Sequence, residues 1–420
     1  MKASALAGTV LAAPAIVPST LFGKENSEPL KVGLIGCGGR GSGAASQALS
    51  ADPNVTLTAM GDAFEDQLQK SLQSLKTGYP DKVKVTPETS FVGLDAYQKV
   101  IASGVDVVLL ATPPGFRPVH LKAAVEAGKH VFCEKPMATD VPGVRSVMET
   151  AKLAKAKGTS LVAGFCWRYD APRREFYKRI HDGAIGDIRC IYATYYAGHV
   201  KPMPPASERP SGCGDLEWQL RNWYNFAWLS GDGYVEQACH SVDKIAWALK
   251  DQSPLTAVAV GGRATPNNEG NIFDHMFVVY EFENNVRAFM GQRQIGNAYS
   301  DNSDYLSGSD GFGKSIWKAP YTFLEGKTKW HFSGPGGDMY QTEHNELFAS
   351  IRSGKPINDG EWMAHSTLMG LMGRMAAYTG QQVTWEQAMN SQEKIVPDQL
   401  DWKMKIEIQP MAMPGVSRVA

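Results

Sequence analysis

A glycine-rich turn near the start of the chain constrains the fold most strongly. Its pattern, Gly36-x-Gly38-x-x-Gly41, follows a strand predicted over residues 31–35 and opens a helix predicted over residues 41–49. In a strand–turn–helix unit of this kind, the first glycine permits a tight turn. The second lets a phosphate approach the backbone, and the third lets the helix pack against the strand. The pattern therefore predicts a parallel α/β domain that binds a dinucleotide.

An acidic residue supports the dinucleotide prediction. Asp62 ends the second predicted strand, residues 55–60, about 20 residues beyond the turn, where a carboxylate can bind a ribose 2′-hydroxyl. A carboxylate there disfavours a 2′-phosphate, so NAD is predicted in preference to NADP. The alternative is a glycine turn without a ligand. The residues predicted to bind the cofactor from this region are Gly36, Gly38, Gly39, Arg40, Gly41 and Asp62.

Short apolar strands alternate with helical stretches from residue 30 to residue 165, as a parallel sheet requires. Residues 105–111 are apolar except for Asp106, which is typical of a strand buried on both faces. Further strands are predicted at 130–133 and 160–164, with a long helix at 141–157 between them. Residues 30–165 are therefore predicted to form a Rossmann domain.

The pattern changes after residue 165, because strand-like segments follow one another with few helices between them. Asn284-Asn285 separates two of these segments, residues 276–283 and 286–292, as in a hairpin. Residues 166–400 are predicted to form an α+β domain with a large, open, mostly antiparallel sheet. Late helices at 341–353 and 362–379 could pack back on the first domain, and 401–420 is predicted to be a tail.

A lysine is predicted at the carboxyl edge of the first sheet. Glu134-Lys135-Pro136 follows the strand at 130–133, and ligands of open α/β folds bind at this edge. A lysine there can hydrogen-bond a substrate hydroxyl and stabilise a developing alkoxide. The alternative is a surface pair of Glu134 and Lys135.

A second candidate site lies in a helix predicted to include Glu236 and to continue to Leu249. Glu236, His240 and Asp243 have spacings of four and three residues, so they can share one helical face. Glu236 would then orient His240 as a general base. The alternative is an ion pair on the helix surface. Trp223 and Tyr224 add groups suited to a sugar ring.

Composition excludes some partners and leaves others open. The chain has 420 residues and a net charge of -1, which gives no reason to expect nucleic acid or an anionic membrane as a partner. The six cysteines show no metal-like spacing, so no metal is predicted and the thiols are expected to be small buried hydrophobes.

The N-terminus resembles an export signal. Residues 3–17 are apolar and alanine-rich, with the length of a signal-peptide core and too few residues to span a membrane. Residues 2–8 look like the end of a twin-arginine leader whose arginines would stand upstream of Met1. Residues 1–29 are therefore expected to be a leader for export, for instance to the periplasm. The alternative is a flexible N-terminus on a cytoplasmic protein.

Several stretches together resemble the Gfo/Idh/MocA family of oxidoreductases, over about residues 30 to 380. They include residues 32–41, 107–114 and 164–169, and the predicted helix that contains Glu236 and His240. The most specific stretch is the run Ala-Gly-Lys-His-Val-Phe-Cys-Glu-Lys-Pro at 127–136. The resemblance implies a Rossmann domain, and a second domain whose open sheet carries the substrate site and often an oligomer interface. It implies a catalytic role for Lys135 and His240, and cofactor contacts from Thr112, Pro113 and Glu134. Substrate contacts are expected from Arg168, Tyr169, Trp223, Tyr224 and Asp243.

Two departures from the family pattern affect the substrate. Glu236 stands where the family usually has aspartate, with Ala238 in place of glycine. Residues 114–117 read Pro-Gly-Phe-Arg in place of the common asparagine-x-x-histidine.

The expected function is NAD-dependent oxidation or reduction of a sugar, glycoside or polyol by a homo-oligomer, either a dimer or a tetramer. An exported enzyme of this type would have to keep and regenerate its cofactor. Two alternatives stay open. One is a glycoside hydrolase that works by transient oxidation, although Lys135 argues against that branch of the family. The other is a non-catalytic NAD-binding regulatory protein.

Overall fold

The computed structural model describes residues 28–265, 269–317 and 322–418. Most of the predicted leader, residues 1–27, lies outside the described residues. Across the described part of the chain, no helix combines the length and the apolar character needed to cross a membrane.

The first domain contains a six-stranded, fully parallel sheet with the order β3-β2-β1-β4-β5-β6. This order reverses direction at β1, as in a Rossmann fold, and confirms the predicted fold class. The four residues of β4 are all buried, as their apolar run predicts. The strands are β1 (Leu30–Ile35), β2 (Val55–Asp62), β3 (Ser90–Val92), β4 (Val107–Leu110), β5 (His130–Cys133) and β6 (Leu161–Ala163).

Helices connect the parallel strands. Helix α1 begins two residues earlier than predicted, at Gly39, because Gly38 still has an extended backbone and acts as the N-cap. Buried alanines of α1, among them Ala44 and Ala48, lie in the apolar core with β1. The helices of this domain are α1 (Gly39–Ala51), α2 (Glu65–Gly78), α3 (Ala96–Ala102), α4 (Arg117–Glu126) and α5 (Val141–Lys157).

The second domain contains a nine-stranded mixed sheet with the order β14-β13-β12-β11-β7-β10-β9-β8-β15. Among the described strands of this second sheet, only β7 and β10 pair in parallel, so the sheet is mostly antiparallel, as predicted. The strands are β7 (Ile188–Ala197), β8 (Thr256–Gly262), β9 (His275–Glu281), β10 (Arg287–Gln294), β11 (Asp304–Gly308), β12 (Gly311–Ser315), β13 (Thr322–Gly326), β14 (Trp330–His331) and β15 (Val383–Thr384).

The predicted hairpin is present between β9 and β10, which pair in antiparallel register. Asn284 and Asn285 both have a φ of 58°, in the left-handed region. Asparagine tolerates this region better than most residues, so the Asn-Asn pair suits the turn.

The prediction of an unbroken helix from Glu236 to Leu249 is wrong. One short helix ends at Glu236, and the next begins at Cys239. The regular pattern of helical hydrogen bonds is interrupted because the Ala238 amide donates to the Gly233 carbonyl, five residues back, and the His240 amide donates to the Gln237 carbonyl.

The helices of this part of the chain are α6 (Ala171–His181), α7 (Asp215–Arg221), α8 (Ala227–Ser230), α9 (Gly233–Glu236), α10 (Cys239–Ala248), α11 (Met339–Arg352), α12 (Gly360–Thr379) and α13 (Trp385–Asn390).

Late helices pack against the first domain. Helix α11 lies along α1, and α12 lies along α5. Gln341 donates from Nε2 to the Gln47 carbonyl at 3.0 Å. At the other end of α11, Arg352 forms a buried ion pair with Asp52, with 2.7 Å between Nε and Oδ2. The two domains therefore share a large packed surface.

We predict that Arg352→Met lowers the free energy of unfolding by about 3 kcal/mol, because it leaves the buried Asp52 carboxylate without its cation. Arg189→Met is the matched control, since the Arg189–Asp187 pair is 59% and 83% exposed, and should change stability by at most about 0.5 kcal/mol. Urea unfolding measures both. Equal effects of the two variants would contradict the prediction.

Candidate functional site

Two cavities meet at the carboxyl edge of the first sheet. The smaller cavity, about 560 Å³, is lined by the glycine turn and Asp62. The larger cavity, about 920 Å³, is lined by Lys135 and His240. The residues that line both cavities are Arg40, Ala111, Thr112, Val200 and Trp223. A molecule in one cavity can therefore touch a molecule in the other.

The glycine turn leaves room for a ligand. Gly36 has a φ of +93°, a conformation that favours glycine, and a Cβ on Gly41 would lie 1.8 Å from the Gly36 oxygen. A Cβ on Gly38 or Gly39, in contrast, would meet no atom within 4 Å. Gly36 and Gly41 thus set the shape of the turn, and the space beside Gly38 and Gly39 fits a phosphate group approaching the start of α1.

Asp62 lies in the smaller cavity, next to the turn. Its carboxylate accepts hydrogen bonds from the amides of Cys37, at 2.6 Å, and Phe64, at 2.9 Å. Burial raises the pKa of Asp62, and these backbone hydrogen bonds partly offset the effect. Each oxygen accepts one backbone bond and keeps a lone pair. The carboxylate can therefore accept a further bond from a ribose hydroxyl.

Arg40 and Glu134 lie at the junction of the cavities and bind each other. The Arg40 Nε donates to Glu134 Oε1 at 2.6 Å, and the Arg40 guanidinium also lies 3.6 Å from Glu343. A Cβ on Gly164 would lie 2.7 Å from the Glu134 carboxylate, so glycine gives that carboxylate its space. Much of the Arg40 charge is thus balanced within the protein. Cofactor contacts from Arg40 and Glu134 stay predictions.

Thr112 and Pro113 follow β4 and line the smaller cavity, and their expected cofactor contacts stay predictions. The Thr112 hydroxyl lies 3.2 Å from His120 Nδ1. Arg117, which the sequence analysis noted only as a departure from the family, is buried beneath them. It donates to the carbonyls of Thr112, Leu110 and Glu134, and so connects the ends of β4 and β5.

Lys135 forms a buried ion pair across the domain boundary. Its Nζ donates to Glu236 Oε1 at 2.9 Å and to the Glu236 carbonyl at 2.6 Å. The side chains are only 10% and 8% exposed. Burial disfavours the charge on Lys135, but nearby Glu236 and Glu134 outweigh burial and raise its pKa. Lys135 therefore stays protonated and acts as a donor in the larger cavity.

The predicted contact between Glu236 and His240 is wrong. The break between α9 and α10 removes the regular four-residue spacing, and the Glu236 carboxylate binds Lys135 instead. His240 Nδ1 is buried and has no hydrogen-bond partner among the described residues. Burial lowers the pKa of His240 well below its usual value, and the positive charges of Lys135 and Lys244 add to this effect. His240 is therefore neutral at pH 7.

Three residues expected to contact substrate do not line either cavity. Arg168 donates to Asp243 and Asp251, and Asp243 also accepts from Ser366. Tyr169 donates to Asp359 at 2.6 Å. The expectation that these three residues contact substrate is therefore wrong. Their side chains instead join α10 and α12 to the segment after β6.

Trp223 lines both cavities, and its expected substrate contact stays a prediction. Tyr224 is buried beside the smaller cavity and donates to Gln294 Oε1 at 2.7 Å. Tyr195, on β7, donates to Gln237 Oε1 in the larger cavity. The alternation of side chains along β7 was the one sequence signal that could have predicted that Tyr195 faces the cavity, because Tyr195 belongs to no motif.

Aromatic rings extend from His240 towards solvent. The Trp167 ring is stacked 6.1 Å from the His240 ring and 5.5 Å from the Trp317 ring. Trp317 is 51% exposed. Both tryptophans line the larger cavity. Trp167 lies in the family-like stretch at 164–169 but was not itself predicted to bind, and Trp317 belongs to no sequence pattern that predicts binding.

Comparisons with known proteins agree with this architecture. Residues 30–165 match a family model, GFO_IDH_MocA, described as "Oxidoreductase family, NAD-binding Rossmann fold". Inositol 2-dehydrogenase 3 of Saccharopolyspora erythraea is 29% identical over 44% of this chain and 47% of its own length. Inositol 2-dehydrogenase of Rhizobium meliloti is 29% identical over 76% of this chain and 86% of its own length.

The chain spans only 47% to 66% of the length of three of the inositol 2-dehydrogenases that it matches. Among solved structures, the aldose-aldose oxidoreductase of Caulobacter crescentus has a TM-score of 0.65 at 18% identity. The match covers 85% of this chain and 100% of that protein, and at this identity it shows the two-domain fold alone.

Proposed function

We propose that this chain, whose first domain matches the Gfo/Idh/MocA family, is an NAD-dependent oxidoreductase. It transfers a hydride between the nicotinamide and a hydroxyl-bearing carbon of a sugar, glycoside or polyol. The observation that carries the proposal is the buried Lys135–Glu236 pair, which lies with His240 in a cavity that adjoins the glycine turn.

The residues of the smaller cavity fit a dinucleotide. The open space beside Gly38 and Gly39 suits a pyrophosphate, and Asp62 suits an unphosphorylated ribose. Thr112, which lines both cavities, and Pro113, which lines the smaller one, would lie near the nicotinamide end. The chemistry that NAD supplies when bound is the acceptance and return of hydride at its nicotinamide ring.

Lys135 and His240 have complementary protonation states. Because its pKa is raised, Lys135 stays cationic and can donate a hydrogen bond to the substrate oxygen, which stabilises negative charge as the hydride leaves. Because its pKa is lowered, His240 stays neutral and can accept the hydroxyl proton. Lys135 is therefore suited to donating hydrogen bonds while it keeps its proton, and His240 is the group of the two that is free to accept a proton.

The larger cavity is suited to a carbohydrate. Its reactive end contains charged and polar groups, whereas Trp167, Trp317 and Trp223 supply flat apolar surfaces along its walls. Ligand sites commonly combine aromatic walls with a few polar groups that fix orientation. Relatives named as inositol 2-dehydrogenases support a polyhydroxylated substrate.

Two other functions compete with this proposal. A glycoside hydrolase that works by transient oxidation would release an aglycone, and a regulatory protein would bind NAD without turnover. A glycosyl hydrolase family 109 protein of Streptomyces coelicolor is 28% identical over 38% of this chain. The intact Lys135–Glu236 pair favours net redox chemistry. A glycoside panel followed by nicotinamide absorbance and by aglycone release distinguishes the three functions.

We also propose export, on the basis of the leader-like residues 3–17. An exported enzyme meets little free NAD and must retain the molecule that it binds. This requirement favours reduction of a second sugar as the means of regenerating the cofactor in place. The aldose-aldose oxidoreductase fold is compatible with such a couple.

A homo-oligomer is proposed from the open face of the nine-stranded sheet. Alternate residues of β8 and β9 are exposed and apolar, including Val258, Val260 and Phe277, whereas α12 covers the other face. An exposed apolar patch of this kind marks an interaction surface. Light scattering should give the mass of a dimer or tetramer, and a mass near that of one 45.7 kDa chain would contradict the proposal.

We predict that Asp62→Ala weakens NAD binding by about tenfold and reduces the preference for NAD over NADP, because it removes one charge-assisted hydrogen bond. Titration calorimetry with each dinucleotide measures the effect. Asp81→Ala, at an exposed position outside both cavities, is the control. Tight NADP binding by the unmodified protein would refute the NAD assignment.

We predict that Lys135→Met lowers kcat by about 100-fold or more while NAD stays bound, because a positioned, charge-stabilising donor is lost. The exposed Lys122, paired with Glu126 on α4, gives the control Lys122→Met, which should keep its normal rate. Steady-state kinetics with a substrate found in the sugar panel gives kcat. A nearly normal rate for Lys135→Met would assign the lysine a structural role.

A further inference from the structure

The smaller cavity has a wall that the Rossmann domain does not supply. A segment between β7 and α9, residues 199–230, lies outside the nine-stranded sheet and faces the glycine turn across this cavity. The residues of the segment that line the cavity are Val200, Lys201, Leu220, Arg221, Trp223 and Tyr224.

This segment is attached to the first domain next to the ribose-binding acid. Arg221 lies 3.3 Å from Asp66, and its guanidinium lies over the Phe64 ring, 4.0 Å from the ring centroid. Phe64 stands two residues after Asp62 and lines the same cavity. Arg221 therefore connects the segment to the first domain and lines the same cavity as Asp62.

The C-terminal residues hold the segment in place. Residues 391–418 contain no helix or strand, and they pack across the segment. Gln219 donates to the Ile406 carbonyl at 3.0 Å, and the Trp402 ring lies 5.7 Å from Phe64. The tail residues that pack on the buried cluster of the segment are Ile395, Val396, Leu400, Met404, Ile406 and Ile408.

Lys201 supplies a positive charge to this wall. Within the described ranges its ammonium has no hydrogen bond and no carboxylate partner, and it lies 5.8 Å from the centroid of the Trp223 ring. Burial lowers the pKa of Lys201, so the cation lacks compensation from the protein. An anionic ligand in the cavity would supply that compensation, and a dinucleotide brings a pyrophosphate.

We propose that residues 199–230 and 391–409, here called the cover, retain the dinucleotide in the smaller cavity, with Lys201 as a counter-charge for its pyrophosphate. The inference rests on the proposed binding of NAD. It adds that release of the cofactor requires separation of the Arg221–Asp66 and Trp402–Phe64 contacts. Cofactor retention is thus a property of the second domain and the tail.

The rate of NADH release tests the cover. NADH bound to the full chain is displaced by excess NAD in a stopped-flow instrument, and the change in its fluorescence gives the rate constant. Trp402→Ala should release NADH about tenfold faster, which corresponds to about 1.4 kcal/mol. The control is Trp330→Ala, because β14 lies at the far edge of the nine-stranded sheet and its release rate should not change.

Lys201 has a separate test. Lys201→Met should weaken NADH binding about tenfold and reduce the salt dependence of the affinity, whereas Lys201→Arg should keep both. Lys84→Met, at an exposed position, is the control. Calorimetry at two salt concentrations gives the affinities. Equal affinity and salt dependence in Lys201→Met and the unmodified protein would refute the counter-charge.

The outcomes separate this inference from the function on which it rests. Failure of the unmodified protein to bind NADH would refute the proposed function itself. Binding with unchanged release in Trp402→Ala and Arg221→Met would refute the cover alone. Circular dichroism checks folding, and if Trp402→Ala is unfolded, Arg221→Met decides the question of release.

Discussion

The ion pair between Lys135 and Glu236 connects the two halves of the molecule at the point where the cavities meet. Lys135 lies two residues after the end of β5 in the parallel sheet, and Glu236 ends a short helix of the second domain. Two charges removed from water are costly unless geometry and hydrogen bonding compensate for their desolvation. Here the lysine donates to both the carboxylate and the carbonyl of Glu236. The pair therefore adds a charged contact at the sheet edge to the helix packing that joins the two domains.

The same pair determines the charges available for chemistry. Glu236 keeps Lys135 protonated, and the lysine charge in turn helps to keep His240 neutral. A cationic donor and a neutral acceptor thus line one cavity without direct contact between the histidine and a carboxylate. The role first predicted for Glu236, to orient His240, is replaced by a role in holding Lys135.

Local patterns in the sequence predicted much of this architecture. The glycine turn, Asp62 and Lys135 could be predicted because each lies at or just after the end of an apolar strand. The carboxyl ends of parallel strands lie at one edge of the sheet. The Asn284-Asn285 hairpin was equally local. The family resemblance supplied the expectation for His240. The parts predicted best are therefore those whose function depends on residues close together in the chain.

Contacts between distant residues could not be predicted in this way. Lys135 and Glu236 are 101 residues apart. Glu236 pairs with Lys135 and not with His240 because two backbone hydrogen bonds break the helix between Glu236 and His240. Arg168 and Asp243 suggested substrate contacts, yet they bind each other in the interior. Trp317 and the tail residue Trp402 carry no motif, because their roles come from packing.

A double-mutant cycle on Lys135→Met and Glu236→Gln tests the central claim most directly. Rates are measured for the unmodified protein, both single variants and the double variant, with bound NAD verified in each. If Glu236 acts by holding Lys135, the double variant should be about as slow as Lys135→Met alone, since the carboxylate has no further task once the lysine is gone. If the rate of the double variant were lowered by the product of the two single fold-reductions, Glu236 would act independently of Lys135, and this result would contradict the account.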